Sequence, residues 1–126
     1  MPLTAGLRDE ENERINNILK RLIGLDYVPE NGNATMDEIL SGLGLNMQTL
    51  LDENPGEIIL HLQKLHFDWT NAEQFADFLT TLSKKLPEAK LRLQEKAIEI
   101  YNYIQMESKT FSFEIYNKIE ATKKAN

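Results

Sequence analysis

An all-α fold of six or seven helices is the class this sequence predicts, and three observations predict it. Apolar residues recur at spacings of three and four, clusters of Pro, Gly and Asn cut the first two-thirds into short segments, and no Pro or Gly follows Pro87. With 126 residues, 41% hydrophobic and 27% charged, the chain suits one domain spanning 1–126, without a linker and with its longest loop at about 24–34.

Leu7, Ile15, Ile18, Leu19, Leu22 and Ile23 mark one face of a first amphipathic helix that Gly24 ends. Asp26 to Asn33 carries Pro29 and Gly32 and reads as a loop. Thr35 and Glu38 have capping-box spacing, which predicts a short helix through Ile39, Leu40 and Leu43, limited by Gly42 and Gly44. Asn46 is placed to cap a helix holding Met47, Leu50 and Leu51. Pro55 suits the first turn of the next helix, where its missing amide costs nothing, and Ile58, Leu62 and Leu65 give that helix one apolar side. Thr70 and Glu73 repeat the box spacing ahead of Ala72, Phe75, Ala76, Leu79 and Leu82.

Beyond Pro87 the spacing runs from Leu93 through Ala97, Ile100, Tyr101, Ile104, Ser108, Phe111, Ile115 and Ile119. It allows one long C-terminal helix or a helical hairpin broken near Ser108-Lys109-Thr110, and helix-length statistics favour the break. The phrase Lys96-Ala97-Ile98-Glu99-Ile100-Tyr101 resembles the end of a tetratricopeptide repeat's second helix, with Ala72, Phe75, Ala76 and Leu79 as the first. The resemblance covers about the last 50 residues and implies paired antiparallel helices. The chain also loosely resembles small all-helical bacterial families of unknown function, which implies fold and no activity.

The absence of Cys excludes disulfides, thiolate metal sites and thiol nucleophiles. A formal net charge of −6 makes nucleic acid an unexpected partner. Residues 1–63 hold 4 basic and 11 acidic side chains, whereas residues 64–126 hold 10 and 9, with Lys84, Lys85, Lys90, Arg92 and Lys96 grouped around Pro87. The N-terminal stretch has no basic and apolar signal pattern, and no apolar run approaches the roughly 20 residues of a membrane span. The expectation is a cytoplasmic protein, compatible with a bacterial source, that does not enter the membrane.

His61 and His66, five residues apart, diverge around a helix and could not share a metal, and Glu57 with His61 is only half of a helical metal site. Asp52 to Gln63 lacks calcium-loop spacing, and no Ser lies in a Gly-x-Ser-x-Gly elbow. No metal, cofactor or catalytic residue is therefore expected. If the tail were one long helix with Ala97, Tyr101, Ile104, Ser108, Phe111 and Ile115 facing inward, Tyr103, Met106, Thr110 and Phe113 would form an opposite stripe at spacings of three, four and three. The leading expectation is a noncatalytic protein–protein interaction or adaptor module, with Tyr103, Met106 and Phe113 contacting a protein partner or a second copy in a homodimer. The alternative is a small-ligand protein or enzyme with a pocket lined by Glu57, His61, His66 and Trp69.

Overall fold

A computed structural model describes residues 3–125, with side chains from Glu10 onward, and among the described residues all regular structure is helical. Seven α-helices follow in order: α1 (Leu3–Gly24), α2 (Ala34–Ser41), α3 (Met47–Asp52), α4 (Pro55–Lys64), α5 (Trp69–Ser83), α6 (Lys90–Glu107) and α7 (Phe113–Lys124). Single 3₁₀ turns at Pro29–Asn31 and Pro87–Ala89 bend the chain ahead of α2 and α6. The helix count and class agree with the sequence reading. Leu7, assigned to the apolar face of α1, lies outside the described side chains.

Helix α5 is the centre of the molecule. Its Ala72, Phe75, Ala76, Phe78, Leu79 and Leu82 are buried, because a stripe wider than one line of residues lets it pack against α1 on one side and α6 on the other. Ile15, Ile18, Leu19 and Leu22 supply the α1 side; Leu93, Ala97, Ile100, Tyr101 and Ile104 supply the α6 side. Helices α2, α3 and α4 add Met36, Leu40, Leu50, Ile58 and Leu62 to the same core, and α7 closes the far end with Ile115 and Ile119. Gly42, just past the end of α2, lies tight against α1: a Cβ there would sit 2.8 Å from Ile18 Cδ1, and Arg14 Nη1 donates to the Gly42 carbonyl at 2.8 Å.

The short helices are held by their ends. Asn46 caps α3 in a reciprocal box with Thr49, and Asn54 caps α4 in one with Glu57, with Pro55 in the first turn. The boxes expected at Thr35/Glu38 and Thr70/Glu73 do not form. Helix α2 starts at Ala34 behind Asn33, whose side-chain oxygen is engaged by the buried Tyr27 hydroxyl. Helix α5 starts at Trp69 behind Asp68, which accepts from the Asn71 amide at 2.7 Å. Asp is at least as good a cap as Thr, so the helix begins two residues earlier and Glu73 is released for another role.

Two helix ends use the same reversal with different residues. After α2 the amides of Gly44 and Leu45 return to Ser41 and Leu40, with Gly44 at φ +70°. After α4 those of His66 and Phe67 return to Gln63 and Leu62, with His66 at φ +59°. This is the Schellman arrangement, in which glycine is the residue without a steric penalty, so His66 occupies a strained position.

Of the two readings of the tail, the broken helix is the one observed. Helix α6 stops at Glu107, Lys109 reverses the chain at φ +57°, and Ser112 caps α7 by accepting from Ile115 N at 3.2 Å. Gln105 clamps the corner, since its amide donates to the Ser112 carbonyl and accepts from the Ser112 N–H, each at 2.9 Å.

Helix α7 is then tied back to α5. Lys118 Nζ donates to Glu73 and to Asp77 Oδ2, the second at 3.1 Å, and Asp77 Oδ1 accepts from the buried Tyr101 hydroxyl. Burial alone would lower the Lys118 pKa, but its bonds to Glu73 and Asp77 outweigh that effect and hold it above the ordinary value. Burial, reinforced by the Asp77 carboxylate, pushes the Tyr101 phenol up, so it stays a donor.

Candidate functional site

The four residues of the expected pocket separate into two pairs. Glu57 Oε1 accepts from Asn54 N at 3.0 Å as part of the α4 cap. His61 Nε2 lies 2.7 Å from the Leu43 carbonyl, which can only accept, so that nitrogen carries the proton and the ring ties α4 to the end of α2. Gly44 is pressed against the same ring, where a Cβ would sit 3.5 Å away. Glu57 and His61 thus serve the fold. His66 and Trp69, at the α4–α5 reversal, line a depression to which neither Glu57 nor His61 contributes.

His66 and Trp69 do share a surface. With Asn12, Gln63, Asp68 and Tyr103 they line an open depression of about 430 Å³. Trp69 and Tyr103 meet edge to face with centroids 5.7 Å apart, and Gln63 Nε2 donates to the Tyr103 hydroxyl at 3.1 Å. Among the described residues no three His, Asp or Glu side chains are grouped as metal ligands would be.

The expected interaction stripe also divides. Tyr103 is half-buried and leaves the stripe, because Trp69 packs against its ring and Gln63 donates to its hydroxyl. Met106 and Phe113 remain at the α6–α7 corner, 74% and 75% exposed. Two residues that the spacing argument missed join Phe113. Phe111, assigned to the core by continuing the α6 register, is 62% exposed; Tyr116, not singled out at all, is 47% exposed. The Phe111 ring stands edge to face with Phe113 at 5.0 Å and tilted against Tyr116 at 6.1 Å. The signal for both was the Ser112 cap, which leaves Phe111 in the turn ahead of α7. It restarts the helical register at Phe113, and counting from there puts Ile115, Ile119 and Thr122 inward and Phe113 with Tyr116 outward.

The basic group around Pro87 does not make one face. Lys96 is buried and donates to the Leu51 carbonyl at 3.3 Å; its burial and the nearby Arg92 hold its pKa below the ordinary value. Lys85 donates to the Tyr27 carbonyl at 3.0 Å and faces Asp26 at 3.4 Å. These lysines join the α1–α2 loop and α3 to the α5–α6 hairpin. Among the described residues, no helix is long and apolar enough to cross a membrane.

No protein-family model, curated protein or solved structure matches this chain.

Proposed function

We propose that the protein is a noncatalytic interaction module whose α6–α7 corner docks a short amphipathic helix of another protein. The observation that carries this reading is the aromatic cluster of Phe111, Phe113 and Tyr116, all exposed and with the Phe111 ring against both of the others, with exposed Met106 at the end of α6. Large apolar side chains gathered at one corner, when a core is already complete without them, are what a partner's apolar face would cover.

Area supports a partner helix over a second copy of the chain. Four large side chains, on average about two-thirds exposed, offer on the order of 500 Å², whereas a stable dimer interface takes about 800 Å² from each copy. The corner is therefore matched to one helix rather than to self-association. Glu107 and Glu114 flank it beside Lys109, and Glu114 is paired only loosely, 77% exposed and 3.8 Å from Lys118 Nζ, so a partner helix with basic residues beside its apolar stripe is complementary in charge. The tetratricopeptide-like reading of the tail belongs to the same proposal, with α5 and α6 as one antiparallel pair and α7 as the start of the next.

A Leu/Lys amphipathic peptide of about 16 residues, long enough to form a helix on binding, is the test probe. Fluorescence anisotropy should show saturable binding that Phe113→Glu weakens about tenfold, equivalent to roughly 1.4 kcal/mol, while sedimentation shows a monomer. Binding that is indifferent to Phe113→Glu, or a dimer that Phe113→Glu dissociates, would overturn the proposal. The depression holding His66, Trp69 and Tyr103 is the place for the small-ligand alternative, since it gathers an aromatic pair with polar side chains.

A further inference from the structure

Trp69 is the only tryptophan of the chain, and it stands 42% exposed at the start of α5, where a ring of that size is ordinarily covered. Its ring and that of Tyr103 form two sides of the depression of about 430 Å³, a volume within the range of small-molecule sites. The ring planes meet at 61° with centroids 5.7 Å apart, so the rings are not stacked, and the one that presents its edge keeps both of its faces free of the other. Gln63, donating to the Tyr103 hydroxyl at 3.1 Å, holds that ring in place from α4. The wedge between the rings is therefore set by the packing of three helices, α4, α5 and α6.

The charge around the rings has one sign. Asp68 lies on the wall beside Trp69; its Oδ1 accepts from the Asn71 amide and answers the positive end of α5, and among the described residues no hydrogen-bond or salt-bridge partner engages Oδ2. Glu13 adds a second carboxylate in an adjoining depression of about 410 Å³, which shares Asn12 and Asp68 with the first. Among the described residues no Lys or Arg lines either depression. Electron-rich ring faces beside carboxylates attract a cation. A metal ion is a poor match, because among the described residues no three His, Asp or Glu side chains are grouped to replace its water shell. A primary ammonium is a strongly hydrated point charge. An alkylated ammonium has less hydration to lose and brings apolar surface to the rings.

We propose that this depression binds an alkylated ammonium group of the choline or trimethyl-lysine kind, with its methyl groups against Trp69 and Tyr103 and its charge on the side of Asp68. The proposal rests on the small-ligand reading of the depression and is independent of the α6–α7 corner.

Because Trp69 is the sole tryptophan, its fluorescence reports on the site directly. The probes are choline and Nα-acetyl-Nε-trimethyl-lysine amide, with 3,3-dimethylbutanol, the uncharged isostere of choline, as the control and sodium chloride holding the ionic strength constant. In titrations to about 20 mM, at about pH 8 where free imidazole is uncharged, at least one of the two cations should change the emission saturably with a Kd on the order of 1 mM. The uncharged isostere should bind at least about tenfold more weakly. Asp68→Asn, which keeps the helix cap, should weaken cation binding about threefold with the melting temperature unchanged, and Tyr103→Leu should weaken it about fivefold. The tighter of the two cations identifies its source, a free small molecule or a modified protein side chain. Equal or tighter binding of the isostere would overturn the proposal and leave a small-ligand site in place, whereas no saturable change with any of the three would overturn the small-ligand reading with it. Affinity unchanged in both variants would also overturn the proposal, since the emission change would then not arise from these groups.

Discussion

Replacing Lys118 by Met removes the cation that fastens α7 to α5 while keeping the length and apolar stem of the side chain. Two charge-assisted bonds are lost, to Glu73 and to Asp77 Oδ2. A bond of this kind contributes about 1.5–3 kcal/mol when protected from water. Here the lysine side chain is 28% exposed and its partners 24% and 34%, so solvent screens both bonds and about 1 kcal/mol each is the appropriate value. Glu73 and Asp77 are four residues apart on one helix face and repel once the lysine is gone, adding about 0.3 kcal/mol. The expected loss is about 2–2.5 kcal/mol at neutral pH, read as a lower urea midpoint with an unchanged slope. Glu114→Gln is the control, because that carboxylate is 77% exposed at 3.8 Å and should cost under about 0.5 kcal/mol. The pH profile supplies a second readout. A lysine held above its ordinary pKa of 10.5 stabilises the fold fully below that value and loses the contribution as pH rises through the folded-state value. The difference between wild type and Lys118→Met should accordingly be constant near neutrality and shrink above about pH 10.5. A loss equal to that of Glu114→Gln, or a difference that grows in alkali, would refute the assignment of Lys118 as the fastener.

Other substitutions probe the helix ends and the corner. Asn46→Ala and Asn54→Ala should each cost about 1 kcal/mol in thermal or urea denaturation, whereas Thr35→Ala and Thr70→Ala should change stability by less than about 0.5 kcal/mol, since neither threonine caps its helix. His66→Gly should stabilise by about 0.5–1 kcal/mol by relieving the left-handed backbone after α4, and a loss instead would show that the imidazole makes a compensating contact. Phe111→Ser should leave the urea midpoint within about 0.5 kcal/mol of wild type and reduce binding of a hydrophobic fluorescent dye; a large destabilisation would place that ring in the core.

The helices and their inward faces were legible in the chain because a period near 3.6 is a local property. Ile15 to Leu22, Phe75 to Leu82 and Leu93 to Ile104 each carry it without reference to a neighbour. Cap positions were legible where one candidate stood alone, as at Asn46; the Asn54 cap of α4 was not read, although Pro55 placed its first turn. They were misread where two competed: Asp68 outdid Thr70, and Asn33 preceded Thr35. The candidate pocket failed for a related reason. Spacing along α4 relates Glu57 to His61, but only the position of the α2 terminus makes His61 a donor to Leu43.

By itself the sequence determined the helical class, the segments between its Gly and Pro punctuation, and most of the residues that face inward, Ile23, read onto the apolar face of α1 and 43% exposed, being an exception. Tertiary structure decided what the polar side chains do. Lys118 finds Glu73 across 45 residues, Lys96 finds Leu51 across 45, and Lys85 finds Tyr27 across 58, all distances over which no local period carries information. It also decided the outward faces. An apolar residue is buried or left exposed according to whether another element arrives to cover it, and at Phe111, Phe113 and Tyr116 none does.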